Sequence, residues 1–185
     1  MTEFGVRKGI KKLIEDNSSS LLSGIIQQGE ERYFSHVTTS AFTAPTGYYY
    51  IAITTTGSRY TSDSASRSTV RNPSSQHTHD VLIEIADSVV AQNIDDEIFE
   101  QADGDFRLLV ERIVELIRSQ VNFIEYEETD SNATDYGQTT KFRLSRANGE
   151  ADRRVLVRNL SGTWQDAEQY EALGYCQISF SVEEC

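Results

Sequence analysis

Two strand-like segments separated by a long polar stretch constrain this chain more than any other feature. Residues 47–54 alternate so that Tyr49, Ile51 and Ile53 share one face, and residues 79–86 do the same with Val81, Ile83 and Ile85. Between them, residues 55–78 are crowded with Ser and Thr and nearly free of aliphatic side chains. Connections of that length are uncommon inside compact domains and are usually functional arms or unstructured segments. A stretch with nothing to bury in its own core is best explained by something outside it. The expectation is an extended polar loop or hairpin arm at about 55–78, suited to assembly rather than chemistry.

With 185 residues and 38% hydrophobic content, the chain is long enough to build a real core, and we read 1–185 as a single domain. No stretch approaches the roughly 20 apolar residues that span a bilayer. The N-terminal segment intersperses Arg7, Lys8, Lys11 and Lys12 with single apolar residues and lacks the continuous apolar region of a secretory signal. Folding in a cytoplasm is therefore expected. A net charge of -12 argues against DNA or an anionic membrane as the main partner, because either requires a cationic surface. Cys176 and Cys185 are read as reduced thiols.

Helical spacing joins Val6, Ile10, Leu13 and Ile14, and again Leu21, Leu22, Ile25 and Ile26, giving one broken helix or two short ones. A wide stripe of Phe106, Leu109, Val110, Ile113, Leu116 and Ile117 marks the strongest helix, which Asp103-Gly104-Asp105 is expected to open. Residues 120–126 read as a strand. Segments around Phe142–Leu144 and Val155–Val157 alternate, and Asn148-Gly149 between them predicts a hairpin. Its simplest register sets Arg143 opposite Arg154, which argues for a bulge or a wider loop. Cys176, Ile178, Phe180 and Val182 share one face of a final strand. The fold class is α+β, a mostly antiparallel sheet with amphipathic helices packed against it and a long inter-strand arm.

Chemistry is harder to find. His77-x-His79 could offer two metal ligands on one side of a strand, with His36 completing a site, but no paired-Cys or H-E-x-x-H pattern accompanies them. The alternative is three polar residues where a Ser/Thr-rich stretch enters a strand. Asp95-Asp96-Glu97, Glu127-Glu128 and Glu183-Glu184 are adjacent runs, which on a strand diverge. Cys176 on an apolar face suits an inert thiol. No phosphate-binding glycine loop is present. The expectation is no catalytic residue, no metal and no cofactor.

Interface residues are better represented. Tyr48 and Tyr50 lie within the first strand, where they either cap a sheet face or serve as interface anchors, since tyrosine is enriched where one end is buried and the other wet. Arg59, Arg67 and Arg71 make the polar stretch, which also carries Tyr60, locally basic against one acid, Asp63, in a strongly acidic chain; the alternative is a disordered polar linker. Such an arm could dock on an acidic neighbour, including another copy of the subunit.

The order helix, strand, long insert, strand, helix and C-terminal strands resembles the tail terminator (tail completion, or neck) proteins of tailed bacteriophages. The residues that carry the likeness are Val6 to Ile14, the strands at 47–54 and 79–86, and the helix at 105–118. The C-terminal run Trp164, Asp166, Ala167, Glu168, Tyr170, Gly174 and Tyr175, leading into the strand Cys176–Val182, adds to it. The resemblance implies a structural virion protein rather than an enzyme. Such subunits form a ring, commonly a hexamer, that caps the tail tube and joins it to the head-tail connector protein. Partners would be the chain itself, the tail tube protein and the connector, with DNA passing through the ring without specific binding and no membrane contact. The protein would be assembled in the host cytoplasm and reside in the virion neck. Alternatives are a head-tail connector (head completion) protein, or a small metal-dependent enzyme using His36, His77 and His79.

Overall fold

The structure, a computed structural model, describes residues 3–27, 30–31, 33–34, 36–40, 49–61, 76–90, 96–120, 124–144, 156–165 and 171–184. Its first helix, α1 (Glu3–Asp16), forms where Val6, Ile10 and Ile14 recur at four-residue spacing, and all three are buried. Asn17 ends it: its side-chain amide donates to the Leu13 carbonyl at 2.8 Å. A single turn, α2 (Ser18–Leu21), follows, so the interrupted apolar pattern gives two helices. Arg112 then donates to the carbonyls of Leu21 and Ser23 at 2.8 and 2.7 Å, satisfying backbone acceptors at the end of α2.

Residues 26–38 hold three short strands, β1 (Ile26–Gln27), β2 (Glu30–Glu31) and β3 (His36–Thr38). β1 and β2 pair with each other alone, whereas β3 runs parallel to β4 (Tyr50–Thr61). β4 and β5 (Gln76–Val90) are antiparallel, with Ile51 opposite Ile85 and Ile53 opposite Ile83, as the alternation predicts. The pairing extends well into the expected arm, as far as Thr61 opposite Gln76, with an irregularity between Thr55 and Gly57. The rest of the arm, residues 62–75, lies outside the described residues. Tyr49, fully buried, enters β4 with φ of 43°, a left-handed conformation that burial must hold against its steric cost.

α3 (Asp96–Ser119) starts earlier than its glycine suggests. Asp103-Gly104-Asp105 lies inside the helix rather than opening it. Two local features carry the helix through. Ala102 is buried and extends the stripe of Phe106, Leu109, Val110, Ile113 and Ile117, and Asp103 accepts from Arg107 one turn later at 2.7 Å. An exposed glycine costs a helix about 1 kcal/mol, too little to break so strong a stripe.

The remaining strands are β6 (Ile124–Glu127), β7 (Thr139–Leu144), β8 (Leu156–Gln165) and β9 (Glu171–Glu184). The strand expected over 120–126 is thus confined, among the described residues, to Ile124–Glu127. Among the described residues, β7 and β8 do not pair with each other as the expected hairpin requires. Both strands pair antiparallel with β9, β7 along 182–184 and β8 along 171–179, so they run in the same direction. Arg143 therefore meets Glu183 across the ladder, its Nε 2.8 Å from Oε1, instead of the repulsive Arg154. Residues 145–155, with Asn148-Gly149, lie outside the described residues.

The result is an α+β fold. Among the described residues the main sheet has the order β3-β4-β5-β9-β7-β6, with β8 also on β9, and every pair except β3–β4 is antiparallel. α1 packs against β3 and β4 at one side of this order and against β6 and β7 at the other, which requires the sheet to curl around it. Gly5 and Gly9 make the β7 contact possible. A Cβ on Gly9 would sit 2.7 Å from the ring of buried Phe142, and one on Gly5 would collide with the Thr140 side chain. Lys8, between them, forms an ion pair with Glu128, whose other oxygen accepts from the Asp130 amide at 3.0 Å. Both contacts hold the Glu128 carboxyl below the usual carboxylate range, Lys8 first, and the same contact raises Lys8.

Two glycines on two helices should respond oppositely. Gly104→Ala should stabilise by about 0.5–1 kcal/mol, because a Cβ there meets nothing within 4 Å. Gly9→Ala gains the same helix propensity but must displace Phe142, an overpacking of typically about 1–3 kcal/mol, so net destabilisation is expected in urea unfolding.

Glu128→Gln tests the second tether of α1. A carboxylate with a lowered folded pKa stabilises above its unfolded value and loses that contribution as pH falls through the folded one. The variant should be less stable at neutral pH. Its stability should also fall less steeply than wild type as pH drops from the unfolded carboxylate value of 4.5.

Candidate functional site

The hairpin base of β4 and β5 gathers most of the singled-out residues that fall within the described chain. Arg59 is exposed on β4, and its NH2 reaches both Asp80 oxygens at 3.0 and 2.9 Å. Its charge is thus met inside its own hairpin. Asp80 also accepts from Ser181 at 2.6 Å, tying the outer face of β5 to β9. Tyr60 sits opposite His77 in the ladder, and its side chain lies outside the described residues. Tyr50 is nearly buried in its own chain, with its ring edge-on to His36 at 5.7 Å, and so presents no free ring. Tyr48, Arg67 and Arg71 lie outside the described residues.

The histidines separate. His36 is exposed on β3 and pairs with Tyr50, at the opposite end of β4 from the arm. His77 and His79 continue the face of Val81, Ile83 and Ile85, and both are buried. Alternation along β9 puts Glu184 on the face of Cys176, Ile178, Phe180 and Val182, and the β5–β9 register brings it beside them. His79 Nε2 lies 3.1 Å from Glu184 Oε1, and His77 Nδ1 lies 3.3 Å from Oε2. The two rings stand 4.0 Å apart, tilted by 55°. One nitrogen from each ring and a carboxylate oxygen lie within 4.8 Å of one another.

A further layer supports His79. Its Nδ1 is 3.0 Å from Ser58 Oγ, and that hydroxyl donates to Glu3 Oε1 at 2.5 Å. Thr55 donates to the other Glu3 oxygen at 3.3 Å, and Arg7 reaches Thr55 from α1. Ser58, then Thr55 and Arg7, hold Glu3 below the usual carboxylate range against the opposing effect of burial. The first turn of α1, the middle of β4, the start of β5 and the end of β9 therefore meet at one polar group.

The sequence alone does not single out Glu184, because Glu183-Glu184 reads as an adjacent solvated run. The period-two pattern of β9 is the available signal: it separates the two, sending Glu183 to Arg143 and Glu184 to the histidines. On the sheet face opposite the core, Tyr175 donates to Glu84 Oε1 at 2.5 Å, and burial first, then Glu84, pushes its pKa up to about 12. Burial also pushes the Cys176 thiol up to about 11, which suits an unreactive sulfur. No protein-family model and no curated protein matches the chain. Among the described residues, no helix is long and apolar enough to cross a membrane.

Proposed function

We propose that this chain is a ring-forming structural subunit of the tail-terminator type, which closes the tail tube of a bacteriophage and joins it to the head connector. The observation that carries this reading is the β4–β5 hairpin. Its strands run for 12 and 15 residues, against a usual strand of about 5–6, and the apolar alternation of the core ends at Ile53 and Val81. Beyond those positions the ladder continues on polar residues toward the Ser/Thr-rich stretch 62–75. The base of this ribbon is tied to α1 and β9 through Ser58, His77 and His79, but the apolar core does not need the ribbon to reach so far. A closed ring does, because head-to-tail contacts join different patches of neighbouring subunits.

Charge supports the same reading. A net charge of -12 gives a surface over which DNA slides without adhering, as a conduit through a neck requires. The resemblance in element order to tail terminators is the remaining support, and the α+β fold with a mostly antiparallel sheet is of the kind it implies.

The test is to replace residues 62–75 with a short Gly-Ser turn, leaving the paired strands intact. Loop length affects stability only logarithmically, so the shortened protein should unfold at nearly the wild-type denaturant concentration. Sedimentation velocity should show a ring for wild type and a smaller species for the shortened chain, and electron micrographs should show fewer capped tails. A wild type that stays monomeric when mixed with tail tubes, or a shortened chain that caps them normally, would overturn the proposal. Binding to heads in place of tails would make it a head-completion protein.

A further inference from the structure

Three side chains with metal-ligand chemistry converge where β5 meets the end of β9. His79 Nε2 faces Glu184 Oε1 at 3.1 Å, and His77 Nδ1 faces the second carboxylate oxygen at 3.3 Å. The two rings stand 4.0 Å apart, and one ligand atom from each residue lies within 4.8 Å of the others. Ser58, which donates to Glu3, sits 3.0 Å from His79 Nδ1 and orients the ring from its other side. A single divalent ion would take both nitrogens and the carboxylate together.

The spacing fits that ion. A tetrahedral zinc with bonds of about 2.0–2.1 Å holds its ligands about 3.3–3.4 Å apart. The two histidine–carboxylate separations, one to each oxygen, are close to that edge, and one ligand atom from each residue lies within 4.8 Å of the others. Two imidazoles and one carboxylate select zinc and its first-row neighbours over magnesium or calcium, which take oxygen ligands. The arrangement also has the oriented outer layer typical of metal-bound histidine, here Glu3 through Ser58 to His79. His77 and Glu184 retain slight exposure, which leaves a route for the ion and for a water at a fourth position.

We propose that His77, His79 and Glu184 bind one zinc-class divalent ion, with Ser58 and Glu3 positioning His79. The ion would lock the end of β9 and the first turn of α1 to the base of the β4–β5 hairpin. This site is independent of the ring reading, because it lies within one subunit and its occupancy is measurable in any state of assembly.

The test uses the full chain without a histidine tag, stripped with a chelator and titrated with zinc, cobalt, magnesium and calcium. Calorimetry and elemental analysis should give one zinc per chain, and zinc but not magnesium or calcium should raise Tm. Cobalt should give the visible absorption of a low-symmetry, near-tetrahedral site. Glu184→Gln and His77→Ala should abolish these signals. Glu184→Gln also keeps a hydrogen-bonding amide beside the histidines, so circular dichroism can establish that it folds. Ser58→Ala should bind zinc about 10–100-fold more weakly while remaining folded, a loss expected of a positioning residue. Folded wild-type protein that binds no zinc would overturn the proposal. So would zinc held equally by wild type and Glu184→Gln, since that binding would belong to other groups of the chain.

Discussion

The approach of α1 to β7 governs the rest of this structure. Side chains normally hold a helix off a sheet, but Gly5 and Gly9 remove them along one edge of α1. Val6, Ile10 and Ile14 meanwhile keep an apolar stripe facing the core. With one edge thin and one face bulky, α1 touches β6 and β7 on one side and β3 and β4 on the other. The sheet must curl to allow both. Two polar consequences follow from where the curl leaves the helix: Lys8 reaches the buried Glu128, and Glu3 reaches Ser58 and Thr55 on β4. Together they tie the helix to β4 on one side and to the residue after β6 on the other.

β9 is the second organising element. It is covered on one edge by β5 over nearly its whole length, and on the other by β7 and β8 in succession. Its core face carries Cys176, Ile178, Phe180 and Val182, and its last residues continue the alternation into charge. Glu183 and Glu184 therefore part company: one meets Arg143 across the ladder, the other meets the histidines of β5. A strand that ends among polar partners is held at its terminus by electrostatics rather than by apolar burial.

Local periodicity makes the α+β class, the faces of β4, β5 and β9, and the core of α3 legible in the sequence itself. Ile51, Ile53, Ile83 and Ile85 fall where their alternation puts them, because a period of two leaves only two choices of face. Inferences from single residues fare worse. Gly104 suggests a helix start, but an apolar stripe running through Ala102 outweighs one flexible residue. Asn148-Gly149 signals a turn, yet a turn motif cannot say whether its flanking strands pair with each other or both with a third. The short β1–β3 strands carry too few residues for any period to register. Gly5 and Gly9 give no local sign of being a packing surface, since their role depends on Phe142 and Thr140 far along the chain.

The histidine group shows the limit of such reading most sharply. From sequence, His77-x-His79 offers two ligands on one face, and His36 is the only histidine left to complete a set. The ladder excludes His36, which is exposed at the far end of β4, and supplies Glu184 in its place. That substitution is a matter of register alone: Val182 opposite His79 sends the next core-facing side chain of β9 to His77. A shift of one residue would have turned Glu184 outward and brought Glu183 in, leaving Arg143 without its cross-strand acid. The apolar alternation of β9, the Arg143–Glu183 ion pair and the contacts of Glu184 with the histidines therefore specify the same register. The polar end of the sheet is thus bound to the packing of its core, and the hairpin above it grows from a base that both fix.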